Sequence, residues 1–396
     1  MCKLNYEELI LLDNLIYLQL NARENEEVIN IVNRLLSNDS FDYLENCSLR
    51  MPKEEWINIL VQIKNKPNLK ELKIKNIDNY EESIRVASFV DEQESAAVVF
   101  RGTATEGEWE DNGQGAYEYD TKEQIDALNY INNLEFKDII VTGHSKGGNK
   151  AQYVTILSDK INKCISINGQ GFSNEFITKY KNEIEINKSK IICINSQYDY
   201  VYCLFNQIGE THYFIETEFQ INPLDYHKLN ILLDENGYLR KKTNEGILSG
   251  IINKFSIYLI SELPKDIRSL VINVIIDAVE LILCRGKKRN NIIQDAGEVL
   301  IMCCYENYFK YKETFDKAYV VMESLLIPLI FWSQIIKVEE TNSRLLFDEV
   351  INGINIVKDG IIKKLEIIDK DSQSLVNNIS KAIEILISEL EMKILK

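Results

Sequence analysis

The fold is decided by one stretch of the chain, which reads Ile139-Ile140-Val141-Thr142-Gly143-His144-Ser145-Lys146-Gly147-Gly148-Asn149. Three apolar residues of the buried-strand type come first, Gly-x-Ser-x-Gly follows, and the residues after it have the apolar spacing of a helix. A turn of this kind, a nucleophile elbow, exposes a serine between strand and helix. The five-residue pattern also arises by chance, but this context favours Ser145 as a nucleophile over a structural turn. Gly143, His144, Gly147 and Gly148 are the supporting residues of the elbow.

Short apolar runs alternate with helical stretches on both sides of the elbow, which is typical of βαβ units with a mostly parallel sheet. The runs are Ile139–Val141, Cys164–Ile167 and Ile191–Ile194. Upstream, Ile84–Val90 and Ser95–Phe100 flank a polar turn and predict a hairpin. Downstream, the alternating segment His212–Phe219 is expected to close the sheet at one edge. The sequence therefore predicts an α/β protein with an α/β-hydrolase fold.

Helical patterns occupy both ends of the chain. The N-terminal pattern lasts to about Lys70, and the strands are expected to stop after Asn236-Gly237. Apolar helical stretches follow at Ile247–Leu263, Ile267–Leu283, Asp295–Phe309 and Lys317–Ile336, with an apolar stripe from Leu375 to Ile394. We predict an N-terminal helical segment (1–74) packed on the core, a catalytic core (75–240) and a large C-terminal all-α region (241–396).

Composition excludes several classes of protein. With 45 basic and 61 acidic residues the net charge is −16, which argues against nucleic acid as a partner. The 8 Cys lack metal-ligand spacing and predict buried free thiols, so we expect neither a metal nor another cofactor. The first residues lack the pattern of a cleaved signal peptide, and the longest uncharged apolar stretch, Ser324–Ile336, is too short to span a bilayer. A cytoplasmic location is the default expectation, and export would need a route without a cleaved signal.

A serine nucleophile needs a base and an acid that orients the base. The chain has three histidines. His227 lies in a loop after the last apolar strand and is favoured over His212, which begins the strand-like run, whereas His144 is expected to point away from the front of the nucleophile.

The acid should follow a late strand and precede the base. Asp199 lies just past Ile191–Ile194 and gives the chain order Ser, Asp, His of the α/β-hydrolases, with Asp225 as the competing acid. An oxyanion hole needs two backbone donors, and the candidates are Lys146, directly after the nucleophile, and Thr103, after Gly102.

These motifs resemble the class 3 (fungal-type) lipases. Phe100-Arg101-Gly102-Thr103, Trp109-Glu110-Asp111 and the elbow carry the resemblance, which is strongest to a bacterial branch of uncharacterised lipase-like proteins and covers roughly residues 5–285. It implies Ser145 as nucleophile, Asp199 as acid, His227 as base, and Thr103 and Lys146 as oxyanion donors. One departure is Gln170, where the branch usually has proline.

The sequence thus favours a serine esterase of the lipase or phospholipase type that acts on a lipid or another carboxylic ester through an acyl-enzyme. We predict no transmembrane span from the sequence, and peripheral contact with a membrane is compatible with this activity. The alternative is a secreted antibacterial lipase toxin, or an interaction protein with a secondary or inactive hydrolase core, whose C-terminal helices bind a partner protein.

Overall fold

The structure, a computed structural model, describes residues 3–37, 51–80, 83–103, 119–220, 223–261, 268, 315–368 and 373–394. In chain order, its helices and strands are α1 (Tyr6–Leu15), α2 (Val28–Ser37), α3 (Lys53–Asn65), α4 (Pro67–Lys70), β1 (Lys73–Tyr80), β2 (Ser83–Val90), β3 (Ser95–Phe100), α5 (Lys122–Asn132), β4 (Asp138–His144), α6 (Lys146–Leu157), β5 (Ile161–Ile167), α7 (Asn174–Lys179), α8 (Lys181–Asn187), β6 (Ile191–Ser196), β7 (Thr211–Ile215), β8 (Lys242–Thr243), α9 (Ile247–Ser261), α10 (Phe315–Ile330), α11 (Trp332–Thr341), α12 (Arg344–Ile368) and α13 (Gln373–Ile394).

Within the described residues the strands form one eight-stranded sheet whose spatial order follows the chain from β1 to β8. Strands β3 to β7 run parallel to one another. At the two edges the pairs β1–β2, β2–β3 and β7–β8 are antiparallel. This mostly parallel sheet with helices confirms the predicted α/β class. The predicted hairpin is the β2–β3 pair.

Different helices cover the two faces of the sheet, and the order of the strands explains why the connecting helices share one of them. Right-handed crossovers between successive parallel strands place the connecting helices on one face. Side chains of α5, α6, α7 and α8 pack there against the sheet, among them Ala127, Val154, Phe176 and Ile184. The opposite face would stay exposed without the N-terminal helices, which bury it in a second cluster.

Helix α1 is the part of the N-terminal layer that reaches the strand before the elbow. Asn5 and Glu8 form a capping box at its start. The Thr142 hydroxyl of β4 donates to Asp13 Oδ2 of α1 at 2.6 Å, and Asp13 is fully buried. Burial raises the pKa of Asp13 well above its ordinary value, although the Thr142 hydrogen bond opposes this shift. The back of the elbow strand therefore rests on α1.

The sequence missed parts of the sheet at both edges. The structure places β8 at Lys242–Thr243, so the prediction that strands stop after Asn236-Gly237 is wrong, as is the prediction that the His212 segment forms the edge. β1 was also missed, because its polar residues hide the alternation and its register shifts between Lys75 and Asp78.

The C-terminal helices share a hydrophobic cluster with loops of the sheet region. Tyr198, Tyr202 and Tyr226 are buried in it together with side chains of α9 to α13. The predicted helical stretch Lys317–Ile336 is divided between α10 and α11 at Phe331. The predicted stretch Asp295–Phe309 lies outside the described residues, as does Ile267–Leu283 except for residue 268. The proposed boundaries at 74 and 240 stay predictions.

No helix among the described residues is both long enough and apolar enough to cross a membrane. The apolar stripe of α13 is instead buried within the C-terminal cluster, where Ile379, Ile383, Leu386 and Leu390 are fully enclosed.

Two glycines that lie in helices predict opposite effects of an added methyl group. A Cβ at Gly147 would lie 2.0 Å from the carbonyl oxygen of Phe100, whereas one at Gly360 meets no atom within 4 Å. We expect Gly147→Ala to lower the free energy of unfolding by more than about 3 kcal/mol. Gly360→Ala should raise it by about 0.5–1 kcal/mol, because alanine loses less backbone entropy in a helix. Urea unfolding of both variants measures this, and equal stabilities would contradict the close approach at Gly147.

Candidate active site

Ser145 occupies the single position between β4 and α6. Its backbone has φ 59° and ψ −124°, a left-handed conformation that a residue with a Cβ rarely adopts. The Ser145 amide donates to the carbonyl of Ile167 at 3.0 Å, and the Ser145 carbonyl accepts from the amide of Asn149 at 3.1 Å. These bonds hold the strained turn at the end of the strand, as a nucleophile elbow requires.

Glycines supply the space for this turn. A Cβ at Gly143 would lie 2.3 Å from the backbone carbon of Gly147, and one at Gly148 would lie 2.6 Å from the hydroxyl oxygen of Ser166. Strand and helix can therefore approach each other only because both positions lack a side chain. The predicted roles of Gly143, Gly147 and Gly148 rest on these contacts.

The loop after β3 lies directly against the elbow. A Cβ at Gly102 would be 3.2 Å from the Cβ of Ser145 and 2.6 Å from the carbonyl oxygen of His144. Thr103 follows and is buried, and Lys146 is the first residue of α6. The structure thus brings the predicted oxyanion loop to the predicted nucleophile, with the positive end of the α6 dipole at the same place.

Asp199 and His227 form a close pair. Asp199 Oδ2 lies 2.6 Å from His227 Nδ1, and the carboxylate is completely buried. The amide of Tyr202 donates to Asp199 Oδ1 at 2.6 Å and fixes the carboxylate from the other side. A carboxylate oxygen accepts, so His227 Nδ1 is the donor in this bond and Nε2 is the nitrogen that remains for a serine proton. An imidazole held in this orientation can act as a general base.

The competing candidates have other partners. Asp225 Oδ1 forms an ion pair with Lys228 at 3.1 Å. His212 lies on β7, and its Nε2 is hydrogen-bonded to the carbonyl of Gly209 at 2.9 Å. Neither geometry makes an acid–base pair.

His144 and Tyr17 adjoin the pair, and sequence reasoning missed this arrangement. His144 Nε2 lies 2.8 Å from the carbonyl oxygen of His227, and its Nδ1 lies 2.8 Å from the Tyr17 hydroxyl. The rings of His144 and His227 have centroids 4.4 Å apart. Since a carbonyl only accepts, His144 must donate from Nε2 and accept the Tyr17 proton at Nδ1. His144 therefore supports the backbone of His227, although its place inside the elbow suggested only that it points away from the front of Ser145.

Burial keeps His144 uncharged. It lowers the pKa of His144 well below its ordinary value, and the neighbouring His227 lowers it further, against a smaller opposing effect of the hydrogen bond to the His227 carbonyl. The His144 ring therefore places no positive charge beside His227.

Gln170, which stands where the related bacterial branch usually has proline, forms a hydrogen bond to the elbow. Its amide donates to the Ser145 carbonyl at 3.4 Å, a bond that proline could not make because it has no amide hydrogen. The Asn149 side chain donates to the carbonyls of Gln170 and Gly171 at 3.2 Å each. Gln170 thus adds a hydrogen bond to the elbow.

The cysteine thiols in the part of the chain that the structure describes do not compete with Ser145 as nucleophiles. The thiols of Cys164, Cys193 and Cys203 are buried, and burial raises the pKa of each. In the same residues no group of His, Cys, Asp and Glu side chains could hold a metal ion.

Comparison with known proteins gives one family. A family model described as Mbeg1-like matches residues 65–273, and this family is lipase-like. The match extends from before β1 to beyond α9, so it includes Ser145, Asp199 and His227. The match supports a lipase-like family but does not support the class 3 resemblance that the motifs suggested. No curated protein matches the chain.

The protonation of His144 can be measured by ¹⁵N NMR of the imidazole rings. We expect His144 to stay in the Nε2–H tautomer and not to titrate between about pH 5 and pH 8, where an ordinary histidine does. Removing the donor with Tyr17→Phe should cost about 1–3 kcal/mol of stability, because a buried acceptor loses its partner. The control Tyr238→Phe, at an exposed ring, should change stability by less than about 0.5 kcal/mol. A His144 that protonates near its ordinary pKa would contradict this arrangement.

Proposed function

The chain belongs to the Mbeg1-like family, and on that premise we propose that it is a serine hydrolase that cleaves carboxylic esters with Ser145, His227 and Asp199. The observation that carries the proposal is the 2.6 Å bond between Asp199 and His227. The His227 carbonyl in turn lies 2.8 Å from Nε2 of His144, the residue directly before the strained Ser145. The sheet, the elbow and the chain order of the three residues support an α/β-hydrolase fold. The family supports a lipase-like activity.

The proposed reaction begins with attack of Ser145 Oγ on the ester carbonyl carbon. His227 Nε2 takes the serine proton, and Asp199 stabilises the resulting imidazolium. The tetrahedral intermediate collapses, the bond to the alcohol breaks, and His227 gives its proton to the leaving oxygen. Water then attacks the acyl-enzyme carbonyl and loses a proton to His227. The second tetrahedral intermediate collapses, its bond to Ser145 Oγ breaks, His227 returns the proton to Oγ, and the carboxylic acid leaves.

The charge on the tetrahedral intermediate needs preorganised donors. We assign this role to the amides of Lys146 and Thr103, because Lys146 begins α6 and the loop with Thr103 packs on the elbow. One such donor contributes about 3–4 kcal/mol to transition-state stabilisation. The N-terminal end of α6 adds a favourable partial charge.

We propose a lipid ester as the substrate, of the lipase or phospholipase type, in line with the lipase-like family and the class 3 resemblance. The net charge of −16 gives no bulk attraction to anionic membranes, so an apolar local surface must capture the lipid. Peripheral contact with a membrane would be sufficient for this.

The nucleophile is tested by Ser145→Ala with a panel of p-nitrophenyl esters and phospholipids. We expect kcat to fall by about 10⁴-fold or more, because the acyl-enzyme cannot form. Ser158→Ala, at the other end of α6, should keep the wild-type rate and serves as the matched control. A fluorophosphonate probe should label the wild type and not Ser145→Ala. Unchanged turnover in Ser145→Ala, or a wild type that neither turns over nor takes the probe, would favour an interaction protein with an inactive core.

The two candidate acids are separated by Asp199→Asn and Asp225→Asn. In Asp199→Asn the amide cannot hold the Nδ1–H tautomer of His227, so kcat should fall by about 10⁴-fold. Asp225→Asn should retain the wild-type kcat, because Asp225 pairs with Lys228 rather than with His227. Steady-state kinetics on one ester decide this, and the opposite ranking would identify Asp225 as the acid.

A further inference from the structure

The loop that carries Asp199 is held from outside the sheet. This segment, residues 197–205, is named the acid loop. The amide of Gly246 and the hydroxyl of Ser249 both donate to the carbonyl of Gln197 at 3.1 Å. The Asn253 side chain donates to the carbonyls of Cys203 at 3.0 Å and Phe205 at 2.7 Å. Helix α9 and the residue before it thus fasten both ends of the acid loop.

The acid loop needs such support because its backbone is irregular. Phe205 has φ 64°, a left-handed conformation that costs free energy for a bulky residue. Such a conformation persists only where surrounding contacts impose it. The bond from Asn253 to the Phe205 carbonyl is one of these contacts.

Helix α9 is itself tied to helices that lie beyond residue 273, where the family match ends. Glu339 Oε1 of α11 accepts from the amide of Ile247, the first residue of α9, at 3.3 Å. A carboxyl group at this position also interacts favourably with the positive, N-terminal end of the α9 dipole. Burial raises the pKa of the Tyr198 hydroxyl, and the nearby Glu339 carboxyl raises it further. One side chain of α11 therefore reaches the start of α9 and lies near the acid loop.

The base is tied to the same helices. Tyr198 precedes Asp199 and Tyr226 precedes His227, and the two tyrosine rings meet edge to face with centroids 5.5 Å apart. Both rings are buried in the cluster that α10 to α13 build. The acid and the base thus face each other, while the residue before each of them is anchored in the C-terminal helices.

We propose that helices α10 to α13 position the Asp199–His227 pair, with Glu339 as the positioning residue that links them to the acid loop. This inference rests on the proposed function. Its physical reason is that a displacement of about 1 Å at a catalytic group can cost about a hundredfold in rate. The C-terminal helices then contribute to catalysis without contacting substrate.

The test compares Glu339→Ala with Glu340→Ala in the full chain. Both variants lose one carboxylate on α11, but Glu340 is exposed. With a p-nitrophenyl ester that the wild type hydrolyses and Ser145→Ala does not, we expect kcat of Glu339→Ala to fall about tenfold to a hundredfold with KM unchanged. Glu339→Gln should recover most of the rate, since its amide oxygen still accepts from Ile247.

Wild-type kcat and KM in folded Glu339→Ala would overturn the inference while leaving the proposed function intact. If the wild type hydrolyses no ester, the proposed function fails, and the low-field proton NMR signal of His227 Nδ1 still tests the positioning. That signal should weaken or shift in Glu339→Ala and stay in Glu340→Ala. Should Glu339→Ala fail to fold, Tyr198→Phe removes only the hydroxyl that lies near Glu339 and should show the same fall in kcat and the same loss of signal. An unchanged signal in these variants would overturn the inference.

Discussion

The turn at Ser145 is the constraint on which the other parts of the molecule depend. A single residue in a left-handed conformation separates β4 from α6, so the axis of the helix must pass close to the strand. That approach leaves no room for a Cβ at Gly143 or Gly147. It also requires firm backing, because strain at one residue relaxes unless the surrounding structure holds it. The backing comes from β3 and β5 beside the strand and from α1 behind it, where Asp13 bonds to Thr142.

The need for that backing accounts for the layered construction. Strands β3 to β7 follow one another in space as in the chain, which places their connecting helices on one face. A parallel sheet has to be buried on both faces, and here the N-terminal helices cover the second. Those helices also deliver Tyr17 to the ring of His144. The layer that completes the hydrophobic core therefore also contributes to the candidate site.

Features encoded by neighbouring residues could be predicted from the sequence. The elbow, the β2–β3 hairpin and the buried strands follow from apolar runs, glycines and polar turns that lie within a few residues of each other. The α/β class followed from them. β8 was missed because a two-residue strand has no periodicity, and β1 because its irregular register and charged residues mask the alternation. The contact between Tyr17 and His144 joins residues 127 apart. No local pattern signals such a contact, since it depends on how α1 packs against the finished sheet.

The acid–base pair shows the same division between local and distant causes. The positions of Asp199 after β6 and of His227 after β7 follow from chain order, and their contact at 2.6 Å requires an irregular loop to meet the end of the short 3-10 helix Pro223–His227. Loops contain few hydrogen bonds of their own, so something more rigid must fix them. On one side an uncharged His144 ring holds the His227 carbonyl through Nε2. On the other side Tyr198 and Tyr226 are buried in a cluster to which helices beyond the family match contribute. The residues proposed for the chemistry thus lie within the family match, whereas part of the packing around the loops that carry them comes from helices beyond it.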